Sequence, residues 1–181
     1  MDEALAEDFR EDALAVFRKY KKLGEDAMAQ LGDEQFFARI DAEANRVAVI
    51  AKHLAGNMRS RWTDFLTADG EKPDRERDAE FRLEANTTRA EVLEWWEEGW
   101  RCVFAAVEPL APSDLLRTVT IRGEPHTVFK AINRQLTHYA YHVGQIVLLT
   151  KHFKSGEWQT LSIAPNASEV FNQVMRERET S

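Results

Sequence analysis

The sequence predicts an all-α protein, a four-helix bundle with a short hairpin or extended arm before the last long helix. Four long segments repeat apolar residues at the period of an amphipathic helix, and such helices bury their apolar stripes against one another. One stretch, TVTIRGEPHTV, alternates apolar and polar residues as short paired strands do. The chain of 181 residues is long enough for a full core. We expect one domain over 1–181, with its core at about 9–153 and a C-terminal extension over 154–181.

The first half of the chain is predicted to hold two long helices. Apolar residues follow a helical period over about 4–23, and Gly24 is predicted to end that helix. A short amphipathic turn, DEQFFARID, then leads to a second helix over about 44–66. The core stripe of this second helix comprises Val47, Ile50, Ala51, Leu54, Met58, Trp62 and Phe65.

The second half is predicted to begin with a loop and to hold two further long helices. The segment ADGEKPDRERD combines Gly, Pro and a dense run of charges, which is typical of a loop. The third helix is predicted over about 83–108 and the fourth over about 128–153, where apolar residues again recur at helical spacing. Ser168 is predicted to cap a short terminal helix over 169–178.

Composition and charge argue against several classes of function. Acidic residues outnumber basic ones by 31 to 24, so we do not expect a nucleic-acid partner, because phosphate backbones are bound by clustered Lys and Arg. No apolar run approaches the roughly 18 residues of a membrane span, and the acidic N-terminus lacks the features of a signal peptide. The single Cys102 cannot form an internal disulfide. We therefore expect a cytoplasmic protein without a membrane partner.

The stretch HYAYHVGQ places His138 and His142 four residues apart. On a helix both imidazoles project from the same face, and such a pair is a good bidentate grip on zinc or a related ion. The pair lies on the shoulder of the core-facing side, beside the apolar stripe of the last helix. Two interpretations stay open at this point, a metal site and two polar residues that are satisfied without a metal.

A third ligand is predicted on the second helix. His53 lies in VAVIAKHLAGNMRSRW, directly before Leu54 of the core stripe. A histidine in such a position is costly to bury unless its ring nitrogens find partners, and shared coordination of a metal would satisfy all three rings. The remaining histidines, His126 in the predicted arm and His152 near a helix end, are interpreted as surface residues.

Four residues near the histidines are candidates for a substrate pocket. Gln145 shares the histidine face and is suited to orient a water or a substrate carbonyl. Asn57 and Arg61 extend the face of His53, and Arg61 is suited to an anionic substrate through bidentate contacts. The alternative for Arg61 is a helix cap or an ion pair with Glu. Tyr141 either lines the pocket or packs against a neighbouring helix.

Aromatic and small residues receive structural interpretations. Trp95, Trp96 and Trp100 in EWWEEGW lie at helical spacing, so packing is favoured over a binding box for a flat ligand. Cys102 is interpreted as a small buried hydrophobe. The far side of the last helix allows close approach of another helix, either within the bundle or across a dimer. This side carries Thr137, Ala140, Gly144 and Leu148.

The motifs together resemble the DinB-like superfamily of metal-binding four-helix bundles. More narrowly, KHLAGNMRSRWTDFLTADGEKPDRERDAEF, INRQLTHYAYHVGQIVLL and EWQTLSIAPNASEVFN resemble a bacterial branch of that superfamily whose function is unknown. The resemblance spans about residues 9–173. It implies a bundle with a site built from His53, His138 and His142 and completed by water, and it implies a homodimer.

Three neutral histidines leave a divalent ion with an open position, which is the arrangement of a catalytic site. Such an ion lowers the pKa of a bound water to near 7 or deprotonates a bound thiol. Better understood relatives in the superfamily act on low-molecular-weight thiols. We therefore predict a metal-dependent enzyme such as a thiol S-transferase, with Zn or Ni favoured and Fe or Cu compatible.

Two alternatives stay open. The first is a non-catalytic stress-response bundle that binds a metal or a small ligand. The second is a helical interaction module without a metal, in which the three histidines coincide by accident.

Overall fold

The computed structural model describes residues 2–179, which form a predominantly helical fold with one small antiparallel sheet. The all-α prediction is confirmed at this level. The ends of the predicted domain, residue 1 and residues 180–181, lie outside the described residues. The helices and strands are α1 (Glu3–Ala29), α2 (Asp33–Phe36), α3 (Val47–Trp62), α4 (Arg89–Val107), β1 (Thr118–Ile121), β2 (Glu124–Thr127), α5 (Val128–Lys154) and α6 (Ser168–Glu179).

The four long helices enclose the hydrophobic core. Helix α3 lies along α4, α1 lies along α5, and α3 also packs against α5. All seven residues of the core stripe that is predicted for the second helix are buried. No helix of the described residues is both long enough and apolar enough to cross a membrane. The largest fully buried side chains include Trp96, Trp100, Tyr139, Phe17 and Phe36.

Two glycines permit close approach between helices. The prediction that the first helix ends at Gly24 is wrong, because α1 continues to Ala29. A Cβ atom at Gly24 would lie 2.9 Å from the ring of Trp96, so this glycine makes room for a core side chain. A Cβ at Gly99 would lie 2.9 Å from the Cα of Ala55, which places the backbones of α3 and α4 in direct contact.

Helix α4 begins at Arg89, later than the predicted start near 83. Thr88 and Glu91 form a capping box, in which the Thr88 hydroxyl accepts from the Glu91 N–H and the Glu91 carboxylate accepts from the Thr88 N–H. Helix α3 is also shorter than predicted, since its predicted span of 44–66 is reduced to 47–62. The terminal helix is present as α6 and begins at Ser168 itself.

The predicted hairpin is confirmed. Strands β1 and β2 pair antiparallel, with Ile121 opposite Glu124. Arg122 and Gly123 form the turn with φ of 56° and 76°, the left-handed pair that a tight hairpin requires. The Asp69 carboxylate accepts hydrogen bonds from the N–H groups of both turn residues at 2.8 Å. The hairpin is therefore tied to the predicted loop after α3.

The structural interpretations of the aromatic residues are confirmed. Trp96 is 1% exposed and Trp100 is fully buried, while Trp95 and Cys102 are partly buried against the core. His152 is exposed as predicted, whereas His126 is half-buried in β2.

The small-residue side of α5 faces away from the core. Gly144 is exposed, and a Cβ there would meet nothing within 4 Å. Thr137 and Leu148 are exposed as well, and Ala140 is half-buried.

Candidate metal centre

Three histidines from two helices come together at one end of the cavity described below. His53 of α3 meets His138 and His142 of α5, and one nitrogen from each ring lies within 4.8 Å of the others. The ring centroids are 4.7–5.5 Å apart. His53 is 3% exposed, while the other two histidines are half-buried. The predicted grouping of these residues is therefore present in the structure.

Core contacts on both helices hold the histidines in register. Tyr139 follows His138 in sequence and is fully buried, where its hydroxyl accepts a hydrogen bond from the Trp62 indole N–H at 2.8 Å. The same hydroxyl donates to Oδ1 of Asn57 at 3.4 Å. Because these bonds join α5 to α3, a rotation of either helix that moved a histidine would break them.

Glu80 fixes the orientation of the His53 ring. Nδ1 of His53 lies 2.7 Å from a carboxylate oxygen of Glu80, within the 3-10 turn Arg77–Phe81. An ionised carboxylate only accepts hydrogen bonds, so Nδ1 carries a proton, and in the neutral ring the lone pair then lies on Nε2. Burial alone would raise the pKa of Glu80, but hydrogen bonds from His53 and Arg75 outweigh it and hold the pKa below its usual 4.5. A carboxylate behind a histidine is the usual second partner of a metal-ligating ring.

A buried network of charges supports Glu80 in turn. Arg75 donates to both carboxylate oxygens of Glu80, at 2.8 and 2.9 Å, and donates to Glu71 at 2.9 Å. Arg61 donates to Glu71 at 2.8 Å and to the backbone carbonyl of Gly70. A Cβ at Gly56 would lie 2.5 Å from the Glu80 carboxylate, so the helix lacks a side chain where the carboxylate sits.

The histidines on α5 are held in their neutral state. Burial, followed by the charges of His142, His53 and two arginines, lowers the pKa of His138 to about 3. Burial also lowers the pKa of His142, although its hydrogen bond with Gln145 opposes this effect. Nδ1 of His142 lies 3.0 Å from Oε1 of Gln145, which directs the other nitrogen away from Gln145. Neutral imidazoles are the form that ligates metals.

The chemistry of this set suits a transition metal. Nδ1 of His138 is a buried nitrogen without a hydrogen-bond partner among residues 2–179, and such a group is costly unless a ligand satisfies it. Two nitrogens on one ion lie about 4 Å apart at most, given metal–nitrogen distances of about 2.0–2.1 Å. The candidate ligand nitrogens lie up to 4.8 Å apart, so small side-chain rotations are needed to bring all three onto one ion.

The histidines line a cavity of about 630 Å³ that opens to solvent. Each of the four predicted pocket residues also lines this cavity, although three of them already have partners. Asn57 accepts from Tyr139, Arg61 pairs with Glu71, and Gln145 bonds His142. Tyr141 is 64% exposed at the cavity and does not pack into the core. The ion-pair alternative for Arg61 is thus present in the structure.

Several residues of the site are absent from the sequence interpretation. Glu80, Glu71 and Arg75 lie in or beside the charge run for which the sequence predicts a loop, and no spacing rule links them to His53. Gly56 was the one available signal, because a glycine inside a helix often marks a close approach. Gln135 lies on the face of α5 that carries the histidines, one turn before His138, and helical spacing alone places it near the site.

Comparison with known families gives one match. The family described as "Protein of unknown function (DUF1572)" matches residues 4–167, a range that includes all three histidines and Glu80. No curated protein matches the chain, and no solved structure matches it. The resemblance to the DinB-like superfamily stays a prediction. Since the match covers most of its length, the chain belongs to the DUF1572 family.

Proposed function

We propose that the protein binds one divalent transition metal through His53, His138 and His142 and acts as a metal-dependent enzyme on a small molecule. The observation that carries this proposal is the histidine cluster beside an open cavity, with an ionised Glu80 behind His53. A structural site is normally closed by four protein ligands, whereas a catalytic site keeps one position open. Residues 2–179 supply three ligands here.

We further propose thiol S-transfer as the reaction type. A bound ion would lower the pKa of a coordinated thiol and so favour the nucleophilic thiolate at neutral pH. Two residues of the chain orient the histidine rings for this role. Glu80 fixes the tautomer in which Nε2 of the neutral His53 ring carries the lone pair, and Gln145 orients the His142 ring. The cavity of about 630 Å³ is large enough for a small thiol and an electrophile.

Zinc and nickel are the ions we favour, and iron and copper are compatible. Imidazole nitrogen suits all four ions, and the cell selects among them by geometry and supply as much as by affinity. None of the three ligands is a thiolate or a carboxylate, which argues against a copper(I) or a magnesium site.

Two features of the wider architecture belong to the same proposal. We propose that the long helices form a four-helix bundle of the DinB-like type, which the packing of α1 on α5 and of α3 on α4 and α5 supports. We also propose a homodimer. The exposed side of α5, with Thr137, Gly144 and Leu148, is the candidate contact because small residues permit close helix approach.

Metal content tests the proposal. Elemental mass spectrometry of protein purified without an affinity tag or chelator should find about one transition-metal equivalent per chain. His53→Ala and His142→Ala should lose it, and the exposed His152→Ala should keep it. A wild type that contains no metal and takes up neither zinc nor nickel would overturn the proposal.

Activity assays then separate the enzyme from a non-catalytic binding protein. The metal-loaded wild type should transfer at least one common cellular thiol to an electrophile, and His142→Ala should be inactive. Metal binding without turnover against the full thiol panel would leave the non-catalytic stress-response bundle as the function.

A further inference from the structure

The cavity beside the histidines is lined by an unusual number of cations. Leaving the three histidines aside, every charged residue of the described chain that lines it is an arginine, although the whole protein carries a net charge of −7. In an acidic protein such a concentration of positive charge produces a local field that attracts anions. The arginines that line the cavity are Arg61, Arg75, Arg77, Arg122 and Arg134.

Two of these arginines form ion pairs with carboxylates of the protein. Arg61 and Arg75 are buried and pair with Glu71 and Glu80 behind the cavity wall. Their charge is largely balanced, so their role is to hold Glu80 and the adjoining loop in place.

Two other arginines keep their charge available to a ligand. Arg134 lies one helical turn before His138 on α5 and forms no ion pair with any residue of 2–179. Arg77 lies over the Phe81 ring at 5.1 Å, and the one ion pair that it forms within the described part of the chain is with the exposed Asp78, at 3.7 Å. Exposed pairs of that kind contribute little. The cavity therefore holds more positive charge than its own carboxylates neutralise.

Two residues that line this cavity also carry a buried polar atom without a partner. Gln135 is 3% exposed, and its side-chain oxygen has no hydrogen-bond partner among the described residues. Nε of Arg61, a residue only 5% exposed, likewise lacks a partner. A buried guanidinium N–H without an acceptor is costly, and an oxygen-rich ligand would supply that acceptor. Both residues lie on the side of the cavity that α3 and α5 share.

We propose that this cavity binds a small molecule that carries an oxyanion, either a carboxylate or a phosphate, with Arg77 and Arg134 as the charged anchors. Arg61 contributes a hydrogen bond from the wall, the Gln135 oxygen accepts one from a donor group elsewhere on the ligand, and the remainder of the ligand extends toward the three histidines. The guanidinium fork matches the geometry of both anions. This inference rests on the proposed function, since it specifies that the thiol or its acceptor is acidic.

The binding of two simple probes tests the inference independently of the metal. Isothermal titration calorimetry with succinate and with inorganic phosphate is carried out on metal-free protein and on zinc-loaded protein. The test variant is Arg77→Gln/Arg134→Gln. The matched control is Arg59→Gln/Arg101→Gln, which removes the same charge from two exposed arginines that do not line this cavity.

We expect the wild type to bind at least one probe in both forms. The test variant should bind about tenfold more weakly or worse, whereas the control should change by no more than about twofold. Binding should also weaken with added salt. Preference for succinate assigns a carboxylate ligand, and preference for phosphate assigns a phosphorylated one.

Three results would overturn the inference. In the first, the test variant binds the probes as tightly as the wild type does. In the second, the test and control variants lose affinity by the same factor. In the third, the wild type binds neither probe at concentrations up to about 10 mM. Zinc uptake without oxyanion binding would leave the metal proposal intact. Oxyanion binding that depends on Arg77 and Arg134 without zinc uptake would sustain this inference while the metal proposal failed.

Discussion

The carboxylate of Glu80 orients the ring of His53, so a change of Glu80 tests the proposed metal site at the scale of single residues. Glu80→Gln keeps the size and an acceptor oxygen but removes the negative charge that increases the basicity of the ring. We expect zinc affinity to fall by about 10- to 100-fold, as is typical when the hydrogen-bond partner of a metal-ligating histidine is changed. Competition titration with a zinc chelator dye measures this effect.

The exposed Glu84→Gln serves as the control, because it removes the same charge outside the site. Its zinc affinity should match that of the wild type. If Glu80→Gln bound zinc as tightly as the control, the carboxylate would not support a metal ligand, and its contact with His53 would be structural only.

Some residues of the site can be predicted from the sequence and others cannot. His138 and His142 follow from helical spacing, and His53 follows from its place beside a core stripe. Glu80 does not, because it is separated from His53 by 27 positions and reaches it only through a folded loop. A polar residue in a charge run is indistinguishable from its solvated neighbours until the tertiary contact is known.

The contact between α3 and α4 depends on a glycine, which gives a prediction at the scale of elements. Gly99→Ala would place a Cβ 2.9 Å from the backbone of Ala55 and 3.1 Å from Sδ of Met58. Because backbone cannot rotate away, we expect the free energy of unfolding to fall by about 1–3 kcal/mol. Urea unfolding at one protein concentration measures this change.

Gly144→Ala is the matched control for that measurement, since its Cβ would meet nothing within 4 Å. Alanine favours a helix over glycine by about 1 kcal/mol, so this variant should be neutral or more stable. Equal stability changes in both variants would contradict the close approach of α3 and α4.

The link between the hairpin and the loop after α3 should be sensitive to acid. Backbone hydrogen bonds from Glu71, Gly123 and Arg122 lower the pKa of Asp69 to about 2, from the ordinary 3.8. The ionised carboxylate therefore stabilises the fold above about pH 4, and this contribution is lost as the pH falls from 3.8 toward 2. Asp69→Asn should lower Tm at pH 7, and its difference from wild type should narrow below pH 4.

Thermal unfolding followed by circular dichroism from pH 7 to pH 3 gives the required series. Asp74→Asn in the same loop is the control, because Asp74 is exposed and should leave Tm nearly unchanged at pH 7. A difference between wild type and Asp69→Asn that stayed constant down to pH 3 would show that the carboxylate charge is not what holds the hairpin.

The sequence predicted which helices and strands form better than it predicted the residues at which they begin and end. Apolar periodicity located the four long helices because apolar residues recur on the core-facing side of each one, although α3 is buried over most of its surface. Alternation located the hairpin through β1, in which alternate residues are buried. The prediction of a helix end at Gly24 was wrong because a glycine ends a helix in one context and permits a close contact between helices in another. Only the Trp96 ring on the neighbouring helix distinguishes the two cases, and periodicity within one helix carries no information about it.

At the scale of the whole molecule, the core and the candidate metal centre are separate structures. The fully buried Phe17, Trp96, Trp100 and Tyr139 pack between the long helices. The histidines instead line an open cavity, together with exposed residues such as Tyr141. Sequence patterns revealed the core through its periodicity, but they did not reveal that the arginines converge on one cavity, since these come from four separate segments.

This separation predicts that the fold survives removal of the metal. Dialysis against a chelator should leave the far-UV circular dichroism unchanged, because the core keeps the helices together. It should lower Tm by about 5–10 °C, since an ion at 100 times its Kd stabilises by about 2.7 kcal/mol and each kcal/mol shifts Tm by about 2–4 °C. His53→Ala should show no such chelator-dependent shift. A chelated wild type that lost its helical signal would instead identify the metal as structural, and an enzyme with an open metal position would no longer be the best account of this protein.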